Sequence, residues 1–284
     1  MDSIYKQISK QAAEKSKNKK QKRLPKPKSI RPLQSEYLRF LLAMLEEMKA
    51  AVDKEVVPYL DSYLESSKRL MNSDSVSFKN DSYSDEIAIA MTKAKILGTK
   101  NFGIDVIRSL LTKHGLKVSD QSIKTFSDQF KAVTNVEISF KNAPWLFDEL
   151  KAYTKTNVDY ITSIQNTYFS QIEETILRDV QAGKLASDTA KDIFKKYEVS
   201  KSRAKLIAQD QTSKFYSSIT AIQQKEVGVE KYQWSTSLDE RVRPLHAERE
   251  GQTYSWNDPP SDGNPGFPIR CRCVALPIFP GFEL

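Results

Sequence analysis

The stretch Glu226-Val-Gly-Val-Glu-Lys-Tyr-Gln-Trp-Ser235 decides the fold class, because the periodicity of apolar residues changes within it. Before Gly228, apolar residues repeat every three or four positions, which is typical of amphipathic helices. After Gly228, short β-like runs stand among Pro, Gly and Asn, at Lys231–Ser235, Thr253–Trp256 and Val274–Ile278. The sequence therefore predicts an α+β fold that is mainly α, with a helical N-terminal and central region followed by a small β-rich C-terminal lobe.

Capping residues and glycines predict where the helices begin and end. We expect helices to begin near Ser35, Ser84, Ile104, Ser119, Asn142, Asn157, Ser187 and Ser200, and to end at Gly98, Gly115, Gly183 and Gly228. Residues 72–84 are predicted as a loop and 136–140 as a short strand. The segments 187–197 and 200–226 resemble a DNA-reading helix-turn-helix, but any helical hairpin has this pattern, so plain helix packing is favoured.

The chain has 284 residues, of which 28% are charged. Its mean hydropathy of −0.54 predicts a soluble protein. No apolar run approaches the roughly 18 residues of a membrane span, and no secretion signal follows the first methionine. We therefore expect no membrane partner and a cytoplasmic site of synthesis.

The positive charge is concentrated near the N-terminus. The net charge of the chain is +8, and residues 1–33 hold eleven Lys and Arg against two acidic residues. We predict that 1–33 is a disordered basic arm. Either it contacts DNA, or it solubilises the protein or docks on an acidic protein surface. The DNA-contact candidates are Lys17, Lys19, Lys20, Lys22, Arg23, Lys26 and Lys28.

Three regions are predicted along the chain. The basic arm, 1–33, precedes a helical N-terminal region, 34–142. The third region, 143–284, holds long helices to residue 228 and then the β-rich lobe, 229–284.

Both cysteines and one of the two histidines lie in the lobe. A single residue separates Cys271 from Cys273, so a disulfide between them would be strained, and reduced thiols are expected. On a strand both would face one side, and with His246 they would supply three ligands of a tetrahedral zinc site. Asp239 or a water would be the fourth ligand.

The alternative for these residues is purely structural. Asp239 would then accept backbone N–H groups and pair with Arg241 or Arg243, while His246 would be a turn histidine and the cysteines small core residues. No catalytic residue and no obligatory cofactor is predicted, although a metal-dependent nuclease is kept as an alternative function. The other histidine, His114, is predicted to be structural, at the C-terminal end of a helix.

The segment from about Leu185 to Pro277 resembles the phage head morphogenesis proteins related to the minor head protein F of phage Mu and its counterpart in phage SPP1. The resemblance rests on a helix core, Arg203-Ala-Lys-Leu-Ile-Ala-Gln-Asp210, and on a long series of fixed positions after it. Gln209 departs from the family pattern, which usually has arginine there. The matching positions are Arg203, Asp210, Trp234, Thr236, Asp239, Arg241, Arg243, His246, Gly251, Pro265, Gly266, Cys271, Arg272 and Cys273.

This resemblance implies a structural virion component rather than an enzyme. Such proteins are minor capsid proteins that act in head morphogenesis, at the portal vertex and the capsid interior. The implied partners are the portal protein, the major capsid or scaffold protein, and possibly packaged double-stranded DNA.

Overall fold

The computed structural model describes residues 4–14, 19–20, 24–25, 27–63 and 79–283. Within this part, long helices make up most of the chain, and a 3-10 turn, Val57–Tyr59, precedes helical residues 60–63. The helices are α1 (Ile4–Glu14), α2 (Arg31–Glu55), α3 (Lys79–Thr99), α4 (Ile104–Thr134), α5 (Pro144–Gln181), α6 (Ala186–Glu226) and the short α7 (Pro244–Glu248).

The strands lie after α6, except for one near the N-terminus. Lys231–Ser235 (β2) is central in an antiparallel sheet, with Thr253–Ser255 (β3) on one side and Val274–Ile278 (β4) on the other. Lys19–Lys20 (β1) pairs in parallel with Phe282–Glu283 (β5). The predicted α+β class, mainly α with a small β-rich lobe, is confirmed.

The chain divides into two compact units, and each is built from segments distant in sequence. Unit 1 comprises Met1–Ser35, Leu111–Lys155 and Gln209–Leu284. Unit 2 comprises Glu36–Leu110 and Thr156–Ala208. The boundaries predicted at 33/34 and 142/143 remain predictions.

Unit 1 has an aromatic core beside its sheet. Phe126 and Phe130 of α4 contact Phe279, which follows β4, at ring-centroid distances of 6.0 and 5.5 Å. Phe140 lies 5.9 Å from Phe126. All four rings are almost completely buried, and aromatic burial of this extent is a major stabilising contribution.

Unit 2 is a helical body in which α2, α3 and α5 approach closely. A Cβ added at Gly98 of α3 would lie 2.8 Å from Met48 Cα and 3.3 Å from Phe169. Only glycine therefore allows this approach. Tyr37 of α2 is buried and donates its hydroxyl hydrogen to Asn157 Oδ1 of α5 at 2.9 Å.

Two helix ends were predicted correctly, because a glycine with positive φ forms a Schellman motif at each. After α6, Gly228 N–H donates to Lys225 O and Val229 N–H to Gln224 O. The bonds at Gly183 after α5 follow the same pattern, which satisfies the last carbonyls of the helix.

Three predicted helix boundaries, at Gly115, Ser119 and Asn157, are wrong, and Gly115 and Asn157 serve packing instead. Helix α4 runs through Gly115 and Ser119 and ends at Thr134. A Cβ at Gly115 would lie 2.9 Å from Leu150, so this glycine permits a close helix approach. Likewise Asn157 does not begin a helix: α5 starts at Pro144, and the buried Asn157 side chain binds Tyr37.

The predicted hairpin at 198–200 is also wrong. Helix α6 continues through Glu198-Val-Ser without a turn and spans 41 residues. No glycine or proline interrupts this segment, and Tyr197, Ser200 and Ala204 stay buried on one face. This continuity removes the helix-turn-helix interpretation.

Three further local predictions differ from the structure. Residues 136–140 form no strand: Ile138 and Phe140 are buried in alternation, but the segment lies beside no strand of the described chain. Helix α3 begins at Lys79, so 79–84 are not a loop, while 72–78 lie outside the described residues. Helix α2 begins at Arg31 rather than Ser35.

Part of the predicted disordered arm is ordered. Ile4–Glu14 form α1, whose Ser9 and Ala12 are buried. The Tyr5 ring contacts the Phe140 ring at a centroid distance of 4.4 Å, and its hydroxyl donates to Ser139 O at 3.2 Å. These contacts with the rest of unit 1 stabilise the helix despite its polar composition. None of the helices in the described residues is long and apolar enough to cross a membrane.

Candidate metal centre

His246, Cys271 and Cys273 converge in unit 1. One ligand atom from each lies within 4.8 Å of the others. His246 Nδ1 is 3.6 Å from Cys271 Sγ and 3.5 Å from Cys273 Sγ. All three side chains are buried, and both cysteines are free thiols. The structure thus brings together three of the four residues predicted as zinc ligands.

Local turns direct these side chains inward. Helix α7 has Arg243 as its N-cap and Pro244 at its first position, where a proline needs no N–H partner. This places His246 one turn into the helix. Arg270 adopts a positive φ of 59° and Cys271 N–H donates to Pro268 O, which reverses the chain just before the cysteines. Cys271 and Cys273 then share the buried side of an extended segment that leads into β4.

Asp262 fixes the orientation of the imidazole. Its carboxylate lies 2.9 Å from His246 Nε2 and accepts a hydrogen bond from Arg249 Nη1 at 2.6 Å. Burial alone would raise the pKa of Asp262, but the hydrogen bonds from Arg249 and His246 outweigh this and lower it. Sequence reasoning missed Asp262, because it lies in a loop without any spacing pattern relative to the ligands.

Trp234 forms a wall of the site. Its ring lies edge-on to His246 at 5.2 Å, and the Arg249 guanidinium covers it at 4.9 Å. Its indole N–H is buried and lies beside Cys273.

The two thiols differ in acidity. The hydrogen bond from Cys273 lowers the pKa of Cys271 to about 6, and backbone N–H groups of Cys273 and Gly266 contribute. The same pairing, together with burial, raises the pKa of Cys273, which the indole of Trp234 opposes.

Asp239 lies outside this cluster. Its carboxylate pairs with both terminal nitrogens of Arg272 and accepts the backbone N–H of Arg241 at 3.1 Å. The Arg272 hydrogen bonds lower the pKa of Asp239 to about 2. Arg241 itself is largely exposed, 3.9 Å from the carboxylate. A carboxylate held this way is not a ligand of the cluster.

Other family-motif residues of unit 1 shape the backbone around the site. Arg243 donates to Ile269 O, which joins α7 to the loop before the cysteines. Thr236 Oγ1 accepts from Leu238 N–H, and Gly251 N–H, at a positive φ, donates to Trp234 O at 2.8 Å. Gly266, which follows Pro265, also has a positive φ, and its N–H points to Cys271 Sγ at 3.3 Å.

The two motif residues on α6 are remote from the cluster in the chain. Arg203 belongs to unit 2 and donates to Ser163 Oγ at 3.0 Å. Asp210 belongs to unit 1 and pairs with Lys214, one turn further along the helix, at 2.7 Å. Both residues make contacts between or along helices.

The predicted DNA-contact residues are only partly described. Lys17, Lys22, Arg23 and Lys26 lie outside the described residues. Lys19 and Lys20 form β1, and Lys28 is exposed, with its carbonyl accepting from Gln121. Contact with DNA therefore stays a prediction.

His114 is structural, although not for the predicted reason. It is buried within α4 rather than at a helix end. Its ring nitrogens lie 2.8 Å from Tyr153 Oη and 3.1 Å from Leu33 O. The histidine therefore joins α4 to α5 and to the segment before Gln34.

Comparisons with known proteins gave one relative and one family match. A protein of Haemophilus influenzae described as uncharacterized is 36% identical over 160 residues, which is 55% of this chain. The match spans 36% of that protein's length. No solved structure matches the chain. The family described as Phage Mu protein F like matches residues 170–276, which hold all of α6, most of the sheet, Trp234 and the His–Cys cluster. The resemblance predicted from the motifs is thereby confirmed: over residues 170–276 the chain is similar to the Phage Mu protein F like family.

Proposed function

We propose that this protein is a phage head protein, and more specifically a minor head protein that acts in head morphogenesis at the portal vertex and the procapsid interior. The match of residues 170–276 to the Phage Mu protein F like family carries the proposal. Synthesis would take place in the host cytoplasm, with the virion as the final location.

The use of the motif residues supports a structural rather than an enzymatic role. Asp239 is hydrogen-bonded to Arg272, Arg243 to the carbonyl of Ile269, and His246 to Asp262. These groups make contacts inside the lobe, as expected of residues that hold its loops together. Nothing in the described residues supports the alternative of a metal-dependent nuclease.

Partners follow from the proposed location. The portal protein and the major capsid or scaffold protein are the expected protein partners, and the basic residues of 1–33 suit contact with packaged DNA. A DNA contact of this kind would weaken steeply with salt, by about 0.9 log units per log unit of salt for each phosphate neutralised.

The test is incorporation into particles. A phage lacking the gene is complemented with the wild-type chain or with Arg272→Gln, and procapsids are purified by sedimentation. The wild-type chain should be found in procapsids at few copies and should crosslink to the portal protein. Arg272→Gln, which breaks the bidentate pair with Asp239, should lower incorporation. The matched control Arg241→Gln changes a largely exposed side chain and should be incorporated normally.

Two results would contradict the proposal. One is normal assembly of heads that contain no copies of the chain. The other is a chain found only in the host and never in sedimented procapsids.

A further inference from the structure

We propose that His246, Cys271 and Cys273 bind one Zn²⁺ through Nδ1 and the two sulfurs, with a water molecule as fourth ligand. The ion would join α7 to the segment that enters β4. This inference does not depend on the proposed function, since a head protein could be built with or without the metal.

The distances between the ligand atoms match a zinc site. Zinc bonds of about 2.3 Å to sulfur and about 2.0–2.1 Å to nitrogen, at tetrahedral angles, place sulfur and nitrogen about 3.5–3.6 Å apart. The observed separations from His246 Nδ1 are 3.6 Å to Cys271 Sγ and 3.5 Å to Cys273 Sγ. These two separations are those that a tetrahedral zinc ion would impose.

The histidine presents the correct nitrogen. The Asp262 carboxylate, which also pairs with Arg249, accepts a hydrogen bond from His246 Nε2. The ring hydrogen is therefore on Nε2. Nδ1 is left with a lone pair that faces both sulfurs. A metal ion would bind all three atoms at once. A carboxylate on the second nitrogen is a common support of metal-bound histidine.

The sulfurs are surrounded by donors. Backbone N–H groups of Gly266 and Cys273 point to Cys271 Sγ at 3.3 and 3.4 Å. The buried indole N–H of Trp234 also lies beside the site, next to Cys273. Donors of this kind stabilise metal-bound thiolates, which are much better acceptors than neutral thiols.

The ligand set selects zinc, and a neighbouring cavity supplies the fourth position. Two thiolates and an imidazole favour zinc over Mg²⁺ or Ca²⁺, which prefer oxygen ligands. A cavity of about 190 Å³ lies against all three ligands, between Arg241, Arg243 and Arg272. Because Asp239 is held by Arg272, a water from this cavity completes the tetrahedron.

The first experiment measures metal and thiols on the purified full chain. Elemental analysis should give about one zinc per chain. Both thiols should react slowly with a thiol reagent and become reactive once a chelator removes the metal. Replacement of zinc by Co²⁺ should give the sulfur-to-metal charge-transfer absorption of a thiolate site. Cys271→Ser should abolish both the zinc and this absorption.

A second variant keeps the test decisive if Cys271→Ser does not fold. Asp262→Asn leaves all three ligands in place but removes the charge behind His246, and should lower zinc affinity about 10- to 100-fold. Asp258→Asn is the matched control, because Asp258 is an exposed aspartate of the same loop, and its affinity should equal that of the wild type.

The proposal is overturned if the wild-type chain retains no zinc after exposure to the metal and gel filtration, with both thiols freely reactive. It is also overturned if zinc is bound but Asp262→Asn and Asp258→Asn have the same affinity as the wild type, because the ion would then lie elsewhere.

Discussion

Replacing Gly266 by alanine should destabilise unit 1 through two separable effects. Gly266 has a φ of 84°, which costs an alanine about 1–2 kcal/mol. The added Cβ would also lie 1.9 Å from Ser217 Oγ and 3.0 Å from Ser217 Cβ. Relieving such an overlap in a packed region costs about 1–3 kcal/mol. The total expected loss of unfolding free energy is therefore about 2–5 kcal/mol.

Two further variants separate these effects. Gly251 also has a positive φ, of 75°, but a Cβ there has no neighbour within 4 Å. Gly251→Ala should therefore show only the backbone cost of about 1–2 kcal/mol. In a Ser217→Ala background the closest atom is absent, so the cost of Gly266→Ala should fall towards that of Gly251→Ala.

Urea denaturation followed by tryptophan fluorescence is the suitable assay. The chain has three tryptophans, Trp145, Trp234 and Trp256, and all of them belong to unit 1. Equal losses for Gly266→Ala and Gly251→Ala, or a loss unaffected by Ser217→Ala, would show that the contact with Ser217 does not require glycine.

Three other predictions concern the helices and the buried tyrosines. Val199→Pro should lower the free energy of unfolding by about 3 kcal/mol, because Val199 lies inside α6. Val199→Ala is the control and should be almost neutral. Thermal denaturation followed by helical circular dichroism measures both, and a small effect of proline would favour a turn at this position. Tyr37→Phe should cost about 1–3 kcal/mol in denaturant titrations, since it removes the buried bond to Asn157, and Tyr59→Phe, at an exposed site, should cost little. Burial raises the pKa of Tyr37 and Tyr168, so these groups ionise more readily in the unfolded chain. Their contribution to stability should be constant below about pH 10 and fall above it, and a melting temperature that stays flat in strong alkali would contradict this.

The sequence predicted correctly those elements whose conformation depends on neighbouring residues in the chain. The strands at Lys231–Ser235 and Val274–Ile278 and the glycine ends at Gly183 and Gly228 depend on a few adjacent residues. The stop predicted at Gly115 failed because the same residue type also serves close helix packing, here against Leu150. A single sequence does not distinguish these two uses of glycine.

The candidate site shows the same division. The chemistry of Cys271, Cys273 and His246 was predictable from residue type and spacing, and the structure brings them together. Asp239, which was an alternative to water as the fourth ligand, pairs with Arg272, and Asp262 was missed. Both contacts depend on how loops distant in sequence fold back on each other, which no periodicity encodes.

The interleaving of the two units sets an order of folding on the ribosome. Unit 2 has all its residues once Ala208 has emerged, while unit 1 still lacks Gln209–Leu284. Until then Phe126 and Phe130 have no Phe279 to cover them. During synthesis the nascent chain therefore exposes an aromatic surface, which makes it a substrate for chaperones and prone to aggregate. Truncated chains that end before the sheet should also tend to aggregate, even where unit 2 is folded.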